Sequence, residues 1–187
     1  LVSQNTKLSF YFVLNFLAVI MASYVSFRAV VFFSAYIFGI WFYSHKLKKL
    51  PFIGNITSAV LTITPFFAIF MYYKNFESVI FVHATFLFLI ISMRELTKDL
   101  ENIKGDLAQN YQTIPIAYGE KVSKQMLTVL ALLTLVPAYL LLFHYAIGYM
   151  YLFFYLAIVL LVAFLIMLWR SQTKIQYLIL HNILKFI

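Results

Sequence analysis

Long apolar stretches alternate with short polar ones along the chain, and this pattern predicts about seven helical segments. Most of these segments approach the length of about 17–25 residues that a helix needs to cross a bilayer. The last one carries several polar side chains, so we predict either a surface helix or a membrane helix that the chain end cuts short. The predicted segments cover residues 8–24, 28–43, 53–73, 78–93, 124–145, 149–169 and 175–187.

The composition indicates that these segments lie in lipid rather than in a water-soluble core. Hydrophobic residues make up 64% of the chain and charged residues only 11%, whereas soluble domains carry about 25% charged residues. We therefore predict an all-α, multi-span transmembrane helical bundle, with residues 1–187 forming a single domain in contact with membrane lipid. The absence of cysteine excludes a thiolate metal site and a cysteine nucleophile.

Positive charge is distributed unequally between the two predicted sides of the membrane. If the segments alternate, the chain start and the loops near 44–52, 94–123 and 170–174 share one side, which holds eleven basic residues. The other side holds only Arg28 and Lys74. By the positive-inside rule, the basic side faces the cytoplasm, and the net charge of +8 reflects topology rather than binding of nucleic acid.

Four of the six acidic residues, Glu95, Asp99, Glu101 and Asp106, fall within twelve residues of one another. On one continuous helix, Glu95, Asp99 and Asp106 would project together with Asn102 within an arc of about 60°. Their oxygens suit magnesium or manganese, and a bound cation would relieve the repulsion between the carboxylates. Glu101 is predicted to point away from this face, towards basic neighbours. The alternative is a solvated charged loop between two membrane helices.

A second polar cluster lies on the same predicted side, two segments earlier. Lys46, Lys48 and Lys49 follow the pair Tyr43-Ser44. These lysines could hold phosphate oxygens while the carboxylates hold a metal ion. The alternative interpretation is a set of topology signals or contacts with lipid headgroups.

Together, the two polar stretches resemble motifs of the UbiA superfamily of membrane prenyltransferases. Residues 94–106, RELTKDLENIKGD, followed by TIPI at 113–116 and YG at 118–119, resemble its second aspartate-rich motif. Residues 43–55, YSHKLKKLPFIGN, resemble its conserved loop two helices earlier. The resemblance covers essentially the whole chain.

This resemblance implies a nine-helix bundle with a cytoplasmic site under a polar cap. In the family, two aspartate-rich motifs hold magnesium, which binds the diphosphate of an allylic isoprenoid. The chain has no counterpart of the first motif, so its segments would match helices three to nine. We therefore expect an N-terminally truncated fragment that is inactive by itself.

The resemblance also implies an activity: magnesium-dependent transfer of a prenyl group from an isoprenyl diphosphate to a lipid or aromatic acceptor. The residues of the second motif are most similar to those of members whose acceptor is geranylgeranylglyceryl phosphate or a chlorophyll precursor. It implies that Asp99 and Asp106 are catalytic magnesium ligands, assisted by Asn102 and Glu95. The expected diphosphate-binding residues are Lys48 and Lys98, with Lys46, Lys49, Arg94 and Tyr43 as helpers.

Two other classes of membrane protein compete with this interpretation. A transporter or channel subunit with a solvated charged cytoplasmic loop would also contain many spans. Transporters, however, carry charged groups near the midplane on broken helices, whereas the acidic residues here lie at one membrane face. CDP-alcohol phosphotransferases need an aspartate-glycine opening followed by a longer spaced run, which the chain lacks.

Overall fold

The computed structural model describes residues 3–187, and within this range the chain forms helices and no strands. Two short 3-10 turns, at Leu47–Lys49 and Gly148–Met150, accompany the α-helices. The predicted all-α fold is confirmed. The helices are α1 Gln4–Val25, α2 Phe27–His45, α3 Ile53–Tyr73, α4 Ser78–Glu101, α5 Ile103–Ala108, α6 Ile114–Phe143, α7 Tyr151–Arg170 and α8 Lys174–Phe186.

Six helices of the described chain are long and apolar enough to cross a membrane: α1 to α4, α6 and α7. Helix α8 has 13 residues and a rise of about 20 Å, which is shorter than a bilayer core of about 30 Å. The protein is therefore a multi-pass integral membrane protein. Helix α8 is amphipathic and packs against α4 and α7 along its buried face.

The chain divides into two compact units, and the first ends at His45. It contains α1 and α2, which contact each other. Ser26 separates the two helices, because its extended backbone ends α1 and its hydroxyl accepts the N–H of Ala29 at 3.1 Å. That hydrogen bond caps the start of α2.

The second unit runs from Lys46 to Ile187, and α4 contacts α3, α6 and α8 within it. Helix α7 contacts α6 and α8. Buried side chains of α4, α6, α7 and α8 form one cluster, in which Leu127 and Leu180 are fully enclosed. In lipid, close packing of this kind holds helices together. Residues 46–52, here called the lysine loop, precede α3.

The prediction of a loop over 94–123 is wrong, because most of these residues are helical. Helix α4 continues to Glu101, and α5 and the start of α6 fill most of the remainder. Leu96 and Leu100 are buried one turn apart, so the apolar face of α4 extends through the polar stretch. Gly119 interrupts the helix, since its φ of 87° breaks α6.

Candidate active site

The polar end of α4 is tied to the start of α3 by an amide. Asp99 accepts a hydrogen bond at 2.8 Å from Nδ2 of Asn55, in the first turn of α3. Gly54 precedes Asn55, and a Cβ there would meet the backbone oxygens of Leu47 and Lys48 at 3.1 and 3.3 Å. The absence of a side chain at Gly54 therefore lets the lysine loop pack closely beside the residue that holds Asp99.

The second aspartate of the motif is buried and is also held by an amide. Asp106 is 7% exposed and accepts a hydrogen bond at 3.0 Å from Nδ2 of Asn102. Gly105 leaves room for this amide, because a Cβ there would lie 2.6 Å from Oδ1 of Asn102. The carboxyl groups of Asp99 and Asp106 are close enough to interact electrostatically, so two acidic side chains share this end of the unit.

The predicted single helix face over residues 95–106 is wrong from Asn102 onwards. Helix α4 ends at Glu101, and Asn102 has a φ of −112° and a ψ of 22°, outside the helical region. Asparagine favours helix ends because its side chain can hydrogen-bond locally instead of continuing the helix. The two aspartates therefore lie on different helices, and the turn at Asn102 sets their relative position.

Glu95, the third predicted carboxylate ligand, pairs with basic neighbours. Its side chain is buried, with Lys98 Nζ at 3.1 Å and the Arg94 guanidinium at 3.8 Å. These contacts neutralise Glu95 and hold Lys98 beside the acidic end of α4. The alternative of a solvated charged loop does not fit the structure, because Glu95 and Asp106 are both buried.

The structure gives Glu101 a different ion-pair partner from the predicted one, and this partner lies on α8. Oε2 of Glu101 is 3.1 Å from Nδ1 of His181, and both side chains are largely covered. The expected approach to Arg94 and Lys98 is wrong, because those two residues pair with Glu95. The end of helix α4 thereby contacts α8 through one polar pair.

The lysine loop contacts the segment that follows Asp106. The backbone N–H of Gln112 donates to the carbonyl of Lys49 at 3.0 Å. The Lys48 ammonium lies over the ring of Tyr111, 5.3 Å from its centroid. The N–H of Tyr111 in turn donates to the carbonyl of Asp106 at 2.9 Å. The structure thus brings together the two stretches that the sequence singled out.

A further polar cluster, not predicted from the sequence, joins α6 to α8. The buried Lys124 ammonium donates to the carbonyl of Ser171 at 2.6 Å and pairs with Glu120 at 2.8 Å. The Tyr177 hydroxyl donates to Glu120 and to the same carbonyl. Burial, with the hydrogen bond to Glu120 and its charge, raises the pKa of Tyr177, which therefore stays a neutral donor. We call these four residues the Lys124 cluster.

Several predicted residues keep roles that remain predictions. Tyr43 belongs to α2 in the first unit, and Lys46 begins the second unit. Sequence reasoning gave no separate role to Asn55 or Tyr111, although both contact the site. The signal for Asn55 was its place at the end of the stretch 43–55 that resembles the conserved loop of the family. Nothing in the local sequence indicated Tyr111.

The donor chemistry of this site fits a hard divalent cation, since carboxylate and amide oxygens are the ligands that magnesium prefers. Two of the candidates, Asp99 and Asp106, receive hydrogen bonds from neutral amides. Within residues 3–187, however, no group of three or more His, Asp or Glu side chains could hold one ion. The described residues therefore fit a partial set of magnesium ligands.

The fold and the site define a multi-pass helical membrane protein with buried carboxylates beside a basic loop. The model of the UbiA prenyltransferase family matches residues 1–183. The chain belongs to this family, whose members generally use a divalent metal. The predicted resemblance is confirmed.

Several similar proteins share the name digeranylgeranylglyceryl phosphate synthase. That of Thermococcus sibiricus is 34% identical over 140 residues, which is 74% of this chain and 49% of the relative. That of Pyrococcus furiosus is 37% identical over 123 residues, 65% of this chain and 43% of the relative. The chain thus spans about half the length of the curated relatives it matches. No solved structure matches the chain significantly.

Proposed function

We propose that the full-length protein transfers a prenyl group from an allylic isoprenyl diphosphate to a phosphorylated glycerol lipid such as geranylgeranylglyceryl phosphate. Membership of the UbiA prenyltransferase family supports the reaction class. The names of the relatives support the glycerol-phosphate acceptor. The observation that carries the proposal is the contact of the lysine loop with Tyr111 and Gln112, just beyond residues 95–106, here called the acidic stretch. Residues 1–187 belong to one prenyltransferase domain in this proposal.

Asp99 and Asp106 are the proposed ligands for magnesium. Both carboxylates are held in place by amides, which fix their position without neutralising their charge. Asn102 is a weaker, neutral candidate ligand, and Glu95 is a further candidate that pairs with Lys98. When bound, magnesium would neutralise the diphosphate and so make it a better leaving group.

The lysines are proposed to hold the diphosphate oxygens. Lys48 and Lys98 have the principal role. Lys48 lies over the ring of Tyr111, in the segment that follows Asp106. Lys98 directly precedes Asp99 in the chain and pairs with Glu95. Lys46, Lys49, Arg94 and Tyr43 are the proposed helpers. These cations stabilise the charge that develops on the diphosphate as its bond to the prenyl carbon breaks.

The acceptor hydroxyl then bonds to the prenyl carbon through oxygen and loses its proton. An allylic carbocation reacts with any water that reaches it, so the site must be closed to solvent. The apolar helices beneath the acidic stretch provide suitable surroundings for an isoprenoid tail. We further propose that the site faces the cytoplasm, which the unequal distribution of basic residues supports.

A transporter or channel subunit was the competing class. Carboxylates at the end of α4, rather than in the middle of a span, favour the prenyltransferase over a transporter. Family membership favours it as well.

The direct test is a transfer assay on membranes that contain the full-length protein. The membranes receive labelled geranylgeranyl diphosphate with geranylgeranylglyceryl phosphate, with para-hydroxybenzoate, or with no acceptor, each with magnesium or with EDTA. We expect a labelled diether lipid only with the glycerol phosphate and magnesium. Label in the aromatic acceptor alone would contradict the proposed acceptor, and the absence of any transfer would contradict the proposed reaction.

A further inference from the structure

Lys48 has an unusual partner for a cation that is expected to bind phosphate. Its ammonium lies over the face of the Tyr111 ring, 5.3 Å from the centroid. A ring face attracts a cation through its quadrupole but does not accept its three N–H groups as a carboxylate would. Lys48 can therefore be positioned and still donate to phosphate oxygens. Lys98, in contrast, donates to the carboxylate of Glu95 at 3.1 Å.

Tyr111 is itself fixed to the acidic stretch. Its N–H donates to the carbonyl of Asp106 at 2.9 Å, directly after Asn110, which has a left-handed φ of 55°. Next to it, the N–H of Gln112 donates to the carbonyl of Lys49 at 3.0 Å. The backbone of Tyr111 is thus held between Asp106 and the lysine loop by two hydrogen bonds that do not depend on its own side chain.

We propose that Tyr111 is a positioning residue that orients Lys48 towards the diphosphate of the prenyl donor. This inference rests on the proposed function, in which Lys48 binds that diphosphate. The Tyr111 ring contacts Lys48 and not the substrate, so it acts by restricting the ammonium to the side of Asp106. The ring face is the essential feature, and the hydroxyl is not required.

The test compares variants of the full-length protein in membranes. Tyr111→Leu removes the ring, Tyr111→Phe keeps it, and Tyr149→Leu removes an exposed aromatic residue from the turn before α7 as a matched control. The measurements are KM and kcat for the prenyl diphosphate, and the Kd of a non-reactive prenyl diphosphate analogue. The same measurements on Lys48→Met and on Lys48→Met combined with Tyr111→Leu complete a double-mutant cycle.

We expect Tyr111→Leu to raise KM and Kd about two- to fivefold with little change in kcat, since an exposed cation–π contact is modest. Tyr111→Phe should recover most of the affinity, and Tyr111→Leu should add nothing once Lys48 is replaced. Unchanged affinity in Tyr111→Leu, an equal loss in Tyr111→Phe, or additive losses in the double variant would overturn the inference. An inactive wild-type protein would instead contradict the proposed function, and the analogue binding would still test Tyr111.

Discussion

Two polar clusters of the second unit differ in the groups that donate hydrogen bonds to their carboxylates. Asp99 and Asp106 accept hydrogen bonds from the neutral amides of Asn55 and Asn102. Glu120 instead receives the ammonium of a buried lysine and the hydroxyl of a tyrosine. The first arrangement leaves negative charge for a ligand to neutralise, whereas the second is already neutralised within the protein.

This difference indicates which cluster binds a ligand and which cluster stabilises the fold. A buried charge that its neighbours do not neutralise costs stability, and a protein retains it where a ligand supplies the missing charge. A buried lysine with an acidic partner and a carbonyl acceptor has its charge compensated and links the elements that it contacts. The acidic stretch should therefore govern activity, and the Lys124 cluster should govern stability.

The largest expected effect is on catalysis at the acidic stretch. Asp106→Asn keeps the size of the side chain but removes its charge, so we expect prenyl transfer by the full-length protein to fall about a hundredfold. Asp99→Asn should behave alike. Asparagine is preferable to alanine here, because Asp106 is buried and a smaller side chain would leave Asn102 without its acceptor. Transfer rates and the melting temperature in detergent provide the measurements. An active Asp106→Asn protein, or one that no longer folds, would contradict the comparison.

The next effect concerns stability at the Lys124 cluster. Lys124→Met removes an ammonium from the Ser171 carbonyl and from Glu120, so we expect a loss of about 1–3 kcal/mol in the free energy of unfolding. Lys121→Met, at an exposed position three residues earlier, is the matched control. Unfolding in detergent measures both variants. Equal stability of the two, or loss of transfer by folded Lys124→Met, would remove the contrast between the clusters.

A smaller effect tests whether Asn102 contacts the metal. Asn102→Asp adds a negative charge beside Asp106, so we expect magnesium to be bound roughly three- to tenfold more tightly. Without magnesium, the same variant should be less stable than the wild type, because the hydrogen bond that Asn102 donates to Asp106 is lost. The magnesium dependence of transfer and of the melting temperature measures this. If neither changes, Asn102 only positions Asp106.

The smallest effect is expected at Glu101. Its partner is His181 on α8 rather than any residue of the acidic stretch. Glu101→Gln should therefore change the transfer rate by less than about twofold, while a modest loss of stability accompanies the weaker pair. Rate measurements beside those for Asp99→Asn test the difference. A comparable loss of activity in both variants would mean that Glu101 belongs to the site.

The helices were predictable because a long apolar stretch in a membrane can satisfy its backbone hydrogen bonds in few ways other than an α-helix. The bounds of α3 agree with the predicted segment 53–73. The extension of α4 to Glu101 was missed, because polar residues at its end hid the buried face that Leu96 and Leu100 continue. The turn at Asn102 was also missed, since helical spacing assumes the continuous helix that a local amide contact can end.

The acidic stretch could be identified from the chain alone because charge is rare in this sequence. The Lys124 cluster could not, although Glu120 and Lys124 have the spacing of a helical ion pair. Their other partners, Ser171 and Tyr177, are 47 and 57 residues away in the chain. One of these is a backbone carbonyl, which carries no residue type that a sequence pattern could reveal.

The most direct test of the account is the binding of manganese, a paramagnetic substitute for magnesium, to the full-length protein with a non-reactive prenyl diphosphate. Electron paramagnetic resonance measures the bound fraction in wild type, Asp106→Asn and Glu120→Gln. We predict tight binding in the wild type, at least about tenfold weaker binding in Asp106→Asn, and wild-type binding in Glu120→Gln. Equal manganese affinity in all three proteins would contradict the claim that the acidic stretch is the metal site.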